Sequence, residues 1–405
     1  MEDWCLDALA GHSGAEPGLG GELSNLTVVV PSRGRPDYLL RQIRYWSSSP
    51  ARLIIVDGSN RPLSDRIRSA VETHPRIDYI HNLSSLADRL CLAGGLIETP
   101  YAVMLGDDEF HLPAGLSASV ETLNKNKALV GCMGQVLSFS PLGRYRRSLF
   151  SRAYLLLDRY DISHLRPDAR LNAAMSAYNM ATSYAVLRTS VWRRSWGSVG
   201  EYGSSGAAAE IRQAMAVYLL GPFTTTGHVQ WLRSIENPTG LVSPSEMDRK
   251  VWFPEWWESP GYELEHSAFV DGLVESVANE LGADRDECAS WVIAGADIFV
   301  DENRSEYEFE EPVQRLLTRL IPAAAKMLRT LARCFPDLLF LGAKRWRGRV
   351  LRFLGRSGGN YYGTVEDLPG IFRAEDLVID PAVIEEIGSI EDMIREFHAL
   401  RLDET

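Results

Sequence analysis

Leu26-Thr-Val-Val-Val-Pro-Ser-Arg-Gly-Arg-Pro36 decides the fold class. An apolar, strand-forming run, Leu26–Val30, leads directly into a polar loop rich in turn residues. Three similar apolar runs follow in the first third of the chain, at Leu53–Val56, Asp78–His81 and Tyr101–Leu105. Helical periodicity lies between the runs, at Tyr38–Ser47, Ser64–Thr73 and Ser84–Ile97. This alternation predicts an α/β fold with a mostly parallel central sheet flanked by helices.

Composition narrows the classes of function. The chain has 405 residues, 45% of them hydrophobic, which is ample for autonomous folding. It contains 42 Lys and Arg and 54 Asp and Glu, which gives a net charge of -12. This negative charge disfavours a nucleic-acid partner. The five cysteines are scattered without a C-x-x-C pair, so they predict neither a zinc site nor a disulfide framework.

The start of the chain and its apolar runs bear on location. Met1-Glu-Asp-Trp-Cys5 is acidic where a secretory signal would be basic. No run approaches the roughly 18 apolar residues of a membrane span. The residues that follow are rich in glycine and show neither helical nor strand periodicity. We therefore predict a flexible leader over residues 1–24. We therefore expect a cytoplasmic protein.

Three polar clusters follow predicted strands directly, at 31–36, 57–60 and 106–109. Parallel sheets bind ligands at the carboxyl ends of their strands, so the three clusters should face one crevice. Gly106-Asp-Asp-Glu109, called the acidic turn below, places three carboxylates in a row. Hard oxygen ligands without His or Cys favour Mg²⁺ or Mn²⁺. The alternative is an acidic turn that caps the following helix.

The other two clusters also have two interpretations each. Arg33 and Arg35 could neutralise a diphosphate, or the loop could be a solvated turn in which Pro36 starts a helix. Asp57, at the end of a buried strand, could accept from a base or a ribose hydroxyl. It could equally form an Asx turn or a helix N-cap.

Four motifs together suggest a family. Three of them, Val28-Val-Val-Pro-Ser-Arg-Gly-Arg-Pro36, Ile55-Val-Asp-Gly-Ser59 and Val103-Met-Leu-Gly-Asp-Asp-Glu-Phe110, occur in the order and approximate spacing of family 2-type glycosyltransferases. The fourth, Tyr184-Ala-Val-Leu-Arg-Thr189, matches a short strand of a bacterial branch of that family. The chain resembles the family over about residues 25 to 240. The resemblance implies the GT-A fold, a nucleotide-diphosphate sugar donor and, in most members, a divalent metal.

The resemblance also implies roles for single residues. Pro31, Ser32, Arg33, Arg35, Ser59 and Asp108 would line the nucleotide and Asp57 would read its base, with Arg89 near the donor phosphates and Asp107 at the ribose. Asp107 and Glu109 would hold the metal, with His228 as a late further ligand. The last acidic position is Glu where the family more often has Asp, and Ser32-Arg33 replaces the usual residue after the strand proline.

An inverting transfer needs a carboxylate close to the acceptor hydroxyl, to take its proton. In the family this carboxylate opens a helix, and Glu210 lies in the first turn of the predicted helix Ala207–Leu220. The alternative is a Glu that only complements the helix dipole, and Glu201 is the reserve candidate. His228 and His111 could contact metal or phosphate, although a core histidine is an equally ordinary outcome.

The later chain suggests further units. Trp231, Trp252, Phe253, Trp256, Trp257 and Tyr262, interleaved with Glu255 and Glu258, could form an acceptor wall or lid, or an interdomain hydrophobic plug. We expect a transferase domain over 25–240, an aromatic-rich linker or lid over 241–264 and a helical domain over 265–405. Residues 344–356 form a basic amphipathic pattern that suits either contact with an anionic membrane or packing with a solvated basic rim.

The leading hypothesis is a metal-dependent glycosyltransferase that acts on a glycan, lipid-linked or protein acceptor. A nucleotidyltransferase is an alternative, but its Gly-rich first loop with a nearby Lys is missing here. A non-catalytic carbohydrate- or nucleotide-binding module of an assembly complex is the other alternative. Neither G-x-G-x-x-G nor a P-loop occurs, which disfavours dinucleotide oxidoreductases and P-loop enzymes. The oligomeric state is open.

Overall fold

The structure, a computed structural model, describes residues 1–10, 21–142, 147–236, 251–304, 363–378 and 380–403. Nine strands in these residues form one sheet: β1 Leu26–Ser32, β2 Arg52–Asp57, β3 Ile77–His81, β4 Tyr101–Met104, β5 Phe110–His111, β6 Gly131–Leu142, β7 Arg147–Ala153, β8 Val186–Arg188 and β9 Phe223–Ser234. The α-helices are α1 Glu2–Ala10, α2 Pro36–Trp46, α3 Asp65–Glu72, α4 Leu86–Leu96, α5 Pro113–Lys125, α6 Pro167–Ser176, α7 Thr189–Arg194, α8 Ala208–Leu220, α9 Phe253–Glu258, α10 Glu263–Leu281, α11 over 285–304, α12 Leu368–Ala374 and α13 Pro381–Asp403.

The sheet has a parallel part and a mixed part. Strands β3, β2, β1 and β4 are adjacent and parallel, in that order. Strand β8 then pairs antiparallel with both β4 and β6, and β9 runs parallel to β6. The short β5 pairs antiparallel with β9, and β7 pairs antiparallel with β6. The predicted α/β class, with flanking helices and a helical C-terminal region, is confirmed.

The parallel part follows from local sequence. Every residue of β1 is buried, which is why its sequence is a continuous apolar run rather than an alternating one. Helix α2 begins at Pro36, whose fixed φ suits the first helical position. Ser64 and Ser85 cap α3 and α4, their hydroxyls accepting from the amides of Ile67 and Asp88. The strands therefore end where the sequence places its polar clusters.

Three segments differ from the prediction. The flexible leader is wrong over residues 2–10, which form α1 because Cys5 is buried and Arg44 donates to the Trp4 carbonyl at 2.6 Å. Strand β9 runs on to Ser234 although the apolar pattern breaks after residue 226, because pairing with β6 continues beyond the break. Strand β7 lies within residues 140–182, whose mixed and locally basic sequence favours helices over strands, and pairing with β6 outweighs that weak local pattern.

The C-terminal helices share apolar cores with the sheet. Helices α10 and α11 join the main core through Phe269, Leu273 and Phe299. Helices α12 and α13 form a second core with Phe110 and Leu232. The division at residues 241 and 265 stays a prediction, and the basic segment 344–356 lies outside the described residues. No helix in the described ranges is both long enough and apolar enough to cross a bilayer.

Two glycines test how closely the helices approach the sheet. A Cβ at Gly115 in α5 would lie 2.3 Å from the Val229 carbonyl oxygen of β9, whereas one at Gly95 in α4 meets no atom within 4 Å. We expect Gly115→Ala to lower the free energy of unfolding by about 1–3 kcal/mol. Gly95→Ala should leave it unchanged or raise it by up to about 1 kcal/mol. Denaturant unfolding measures both, and equal effects of the two variants would contradict this packing.

Candidate active site

The acidic turn is held through its backbone by helix α2. The Gln42 side-chain amide donates to the carbonyls of Asp107 at 3.0 Å and Glu109 at 2.7 Å. The Arg41 guanidinium donates to the carbonyl of Asp108 at 2.9 Å. Because these carbonyls are satisfied by side chains, the turn keeps its shape without contacts from its own carboxylates.

Two of the three carboxylates face the first loop. The Ser32 hydroxyl donates to Asp107 Oδ2 at 2.6 Å, and Arg35 Nη1 lies 2.9 Å from Asp107 Oδ1. The same Nη1 is 3.1 Å from Asp108 Oδ2. Burial raises the pKa of Asp107, and Arg35 opposes that rise. The first and third polar clusters therefore meet, as the strand-end argument predicts.

Glu109 points the other way, into an aromatic stack. The Trp231 indole donates to Glu109 Oε2 at 3.1 Å. Trp231 itself stacks between Tyr184, at a ring-centroid distance of 4.0 Å, and Tyr154, at 5.7 Å. Burial, reinforced by the nearby Asp108 charge, raises the pKa of Glu109 to about 8. This carboxyl is thus in an apolar environment that disfavours its ionised form.

Glu210 lies in the same neighbourhood. It is in the first turn of α8 and accepts a hydrogen bond of 2.7 Å from the Tyr178 hydroxyl. Burial raises the pKa of Glu210 to about 7, while Tyr178 and Arg233 act against the rise. Glu109 also interacts electrostatically with Arg233. The charge of Arg233 therefore acts on two buried carboxyls from different elements.

Asp57 forms the turn that one interpretation of the sequence predicts. Its Oδ1 accepts from the Ser59 amide at 2.8 Å, an Asx turn, and its Oδ2 accepts from the Tyr79 hydroxyl at 2.7 Å. The Ser59 hydroxyl accepts from the Gly34 amide at 2.7 Å, and Gly34 has φ +73°, which favours glycine. The second cluster is thus tied to the first loop, and the base-reading role of Asp57 stays a prediction.

Arg89 is buried behind the strand ends. Its Nη1 donates to the carbonyls of Ser32 at 2.6 Å and Val56 at 2.9 Å, so it links the last residues of β1 and β2. A Cβ at Gly58 would lie 2.5 Å from its guanidinium carbon, which explains a glycine there. Arg33 is exposed, and Pro31 is buried in β1. Contact of Arg89 or Arg33 with donor phosphates stays a prediction.

The predicted metal ligands do not come together. His228 acts electrostatically on Glu121 of α5, whose pKa is lowered mainly by Lys125. Among the described residues, no group of three or more His, Cys, Asp and Glu is arranged to hold a metal ion. Oxygen donors do suit Mg²⁺ or Mn²⁺. However, Arg35 holds the Asp107 carboxylate and Glu109 faces Trp231, so this arrangement does not fit a three-ligand site.

His111 is a core residue. Its ring nitrogens lie 3.0 Å from the Met104 carbonyl and 3.4 Å from the Gln230 carbonyl, and it is fully buried. Burial lowers the pKa of His111 to about 4, so it is neutral near pH 7. His111 is therefore a buried histidine of the core, which is one of the two outcomes expected from the sequence.

The aromatic group divides into two parts. Trp231 belongs to the site, whereas Phe253 and Trp256 are fully buried and pack against Phe269 of α10. Trp252 is 48% exposed. Phe253, Trp256 and Trp257 therefore pack among α9, α10 and α11, and the lid and the interdomain plug both stay predictions.

Helix α13 supports the site from behind. Arg41 is fully buried and forms an ion pair of 3.1 Å with Glu236, which in turn lies 2.8 Å from His398 Nε2. The Arg41 guanidinium is 4.7 Å from the ring centroids of both Tyr38 and Phe397. Arg41, which donates to the Asp108 carbonyl, is thus enclosed in part by side chains from late in the chain, Glu236 and Phe397.

Sequence reasoning missed Arg41, Gln42, Tyr178, Arg233 and the role of Trp231. A signal was present in α2, where Gln42 lies three residues after Leu39 and four before Trp46 and so shares their buried face. Polar side chains on a buried face need partners, and here the partners are the carbonyls of the acidic turn. No local signal points to Tyr178 or Arg233, since both reach the site through tertiary packing.

Comparisons with known proteins give only distant similarity. No protein-family model matches the chain, and no curated protein matches it. Among solved structures, the chain is similar to S. aureus TarS 1–349, with a TM-score of 0.40, 9% identity, and coverage of 70% of this chain and 91% of that chain. TarS 1–349 in complex with UDP-GlcNAc gives a TM-score of 0.39, with the same identity and coverage. Similarity at this level does not identify what this chain does.

The buried ion pair behind the acidic turn gives a stability prediction. Glu236→Gln leaves the Arg41 guanidinium buried without its carboxylate and should lower the free energy of unfolding by about 3 kcal/mol. Glu280→Gln makes the same change in the exposed Arg194–Glu280 pair and should cost less than about 0.5 kcal/mol. Denaturant unfolding compares the two. A loss at Glu236 as small as that at Glu280 would contradict the buried pair.

Proposed function

We propose that this chain is a glycosyltransferase that moves a sugar from a nucleotide-diphosphate sugar to an acceptor hydroxyl. The observation that carries the proposal is the convergence at one sheet edge of Asp57, the acidic turn and the first loop, with Glu210 near the same edge. Adjacent parallel strands β1, β2 and β4 supply the first three groups. A crevice at the carboxyl ends of parallel strands is where α/β folds bind nucleotides.

Glu210 is the proposed base. It takes the proton of the acceptor hydroxyl while the hydroxyl oxygen forms the new bond to the anomeric carbon. The bond from that carbon to the diphosphate breaks, and its electron pair leaves with the diphosphate, so the anomeric configuration inverts. Support comes from the burial of Glu210 and from its contact with Tyr178. A base with a pKa near the working pH is effective in this role.

Metal dependence is a separate part of the proposal. Asp107 and Glu109, with Asp108 between them, supply the hard oxygen donors that Mg²⁺ or Mn²⁺ prefers when it also binds a diphosphate. For such a site to form, the Asp107 carboxylate would have to exchange Arg35 for the ion, and Glu109 would have to turn away from Trp231. Donor turnover measured with Mg²⁺, with Mn²⁺ and with a chelator tests this part, and equal rates under the three conditions contradict it.

The transferase proposal is tested with a panel of nucleotide sugars. The wild-type chain should slowly hydrolyse at least one donor to the nucleoside diphosphate and a free sugar that first appears as the inverted anomer. Binding and hydrolysis of none, in a folded protein, would contradict the proposal. Release of pyrophosphate from a nucleoside triphosphate and a sugar phosphate would instead identify a nucleotidyltransferase.

Substitution of Asp107 tests whether the acidic turn acts in the reaction or only supports the fold. We expect Asp107→Asn to lower donor turnover at least about a hundredfold, because the carboxylate at the donor is lost. The melting temperature should change little, because the backbone of the turn is held by Arg41 and Gln42. Asp271→Asn, on the exposed face of α10, is the matched control. A large loss of stability with unchanged turnover would favour a purely structural acidic turn.

The pH profile tests Glu210. As a base it must be ionised, so turnover should rise with pH through about 7, following the pKa of Glu210. The Tyr178 hydrogen bond lowers that pKa, so Tyr178→Phe should move the acidic limb to higher pH, by roughly 0.5–1 unit. Tyr160→Phe removes a hydroxyl that, within the described ranges, is bonded to Tyr218 alone, and it should leave the limb in place. An unmoved limb in Tyr178→Phe would argue against Glu210.

A further inference from the structure

Arg233 is a half-buried arginine whose guanidinium has no hydrogen bond or ion pair in the described part of the chain. Its recorded contact is with the Tyr154 ring, whose centroid lies 5.4 Å from the guanidinium carbon. An arginine that has lost part of its hydration is ordinarily compensated by a carboxylate or by carbonyls. Among the described residues, Arg233 therefore lacks the direct hydrogen bonds that comparable arginines in this fold make, although its charge acts on Glu109 and Glu210.

Three other buried or half-buried arginines around the site are used by the protein itself, while Arg33 is exposed to solvent. Arg35 binds Asp107, and Arg41 binds Glu236. Arg89 donates to the carbonyls at the ends of β1 and β2. Arg233 thus differs from these three in having its donors available to a ligand.

The position of Arg233 is defined by strand register. Strand β5 pairs with β9 so that Phe110 lies opposite Leu232 and His111 opposite Trp231. Continuing this register places Glu109 opposite Arg233. Trp231 and Arg233 are two residues apart on β9 and so share a face, consistent with the contact of both with Tyr154. The guanidinium therefore stands beside the acidic turn.

Arg233 also lies within electrostatic reach of Glu210. It is thus close both to the turn that would hold the donor and to the carboxyl that would activate the acceptor. In a displacement reaction the bond that breaks lies between these two groups. Negative charge accumulates there on the departing oxygen, and the planar guanidinium can donate two hydrogen bonds to such an oxyanion.

We propose that Arg233 binds the diphosphate of the donor and stabilises the negative charge that develops on it as it leaves. This inference rests on the proposed function. In the step, the electron pair of the breaking carbon–oxygen bond passes to the diphosphate oxygen, the proton of the acceptor passes to Glu210, and Arg233 keeps its own protons. Arg233 is then a catalytic residue of the reaction, because it contacts the leaving group.

Equilibrium binding measures this contact without turnover. Isothermal titration of the full chain would use inorganic pyrophosphate, and UDP, GDP and TDP each against its monophosphate. For the diphosphate that the wild type binds, and for pyrophosphate, Arg233→Gln should weaken affinity about tenfold. It should weaken binding of the matched monophosphate less than about threefold. Arg233→Lys keeps the charge without the planar fork, so its affinity for diphosphates should lie between those of the wild type and Arg233→Gln.

Arg166→Gln is the control, since it removes a positive charge from a side chain that is 78% exposed on the surface. It should leave all affinities unchanged, and circular dichroism should show that each variant is folded. Equal losses for diphosphate and monophosphate, or no loss for either in Arg233→Gln and Arg233→Lys, would overturn the role of Arg233. A wild type that binds diphosphates while the variants bind equally well refutes only this inference. A wild type that binds no nucleotide refutes the proposed function.

Discussion

The hydrogen bonds from α2 to the backbone of the acidic turn are the constraint on which the site depends. Arg41 and Gln42 between them satisfy the carbonyls of three consecutive acidic residues. A buried turn with unsatisfied carbonyls would distort or recruit its own side chains. Here the carboxylates are directed outward from a fixed backbone, two toward the first loop and one toward Trp231. The backbone of the turn is thus fixed by the fold itself, which is the preorganisation that the proposed reaction would need.

The constraint extends to the end of the chain. Arg41 keeps its position because Glu236 neutralises it and because Tyr38 and Phe397 enclose it. The hydroxyl of Tyr45, also on α2, lies 2.8 Å from the His111 carbonyl and 3.0 Å from a carboxyl oxygen of Glu386 in α13. Helix α13 therefore contacts α2 near both of its ends. This gives the C-terminal helix a role in the proposed reaction, since it supports the residues that hold the turn.

The sequence predicted the parallel strands and their polar ends because both are local patterns. A buried parallel strand has a continuous apolar sequence, and turn residues follow its last residue. Both patterns can be recognised without knowledge of the rest of the chain. The convergence of Ser32, Asp57 and Asp107 followed from topology alone. The helical pattern of α8 is equally local, and it correctly predicted that Glu210 lies in the first turn of that helix.

The remaining details depended on tertiary contacts. The direction of Glu109 is set by the Trp231 indole, 122 residues away in sequence. His228 was assigned to the site by the resemblance, as a late further metal ligand, but it lies within β9, where its charge acts on Glu121 of α5. The Arg89 guanidinium donates to the carbonyls at the ends of β1 and β2, a contact that no local pattern indicates, and its contact with donor phosphates stays a prediction.

A crystal structure of the full chain with a bound nucleoside diphosphate tests the central claim most directly. The account predicts density for the nucleotide at the carboxyl edge of β1, β2 and β4, with the base toward Asp57 and the diphosphate between the acidic turn and Arg233. Density at another surface, or an edge that stays without nucleotide at a concentration that saturates binding in solution, would contradict it.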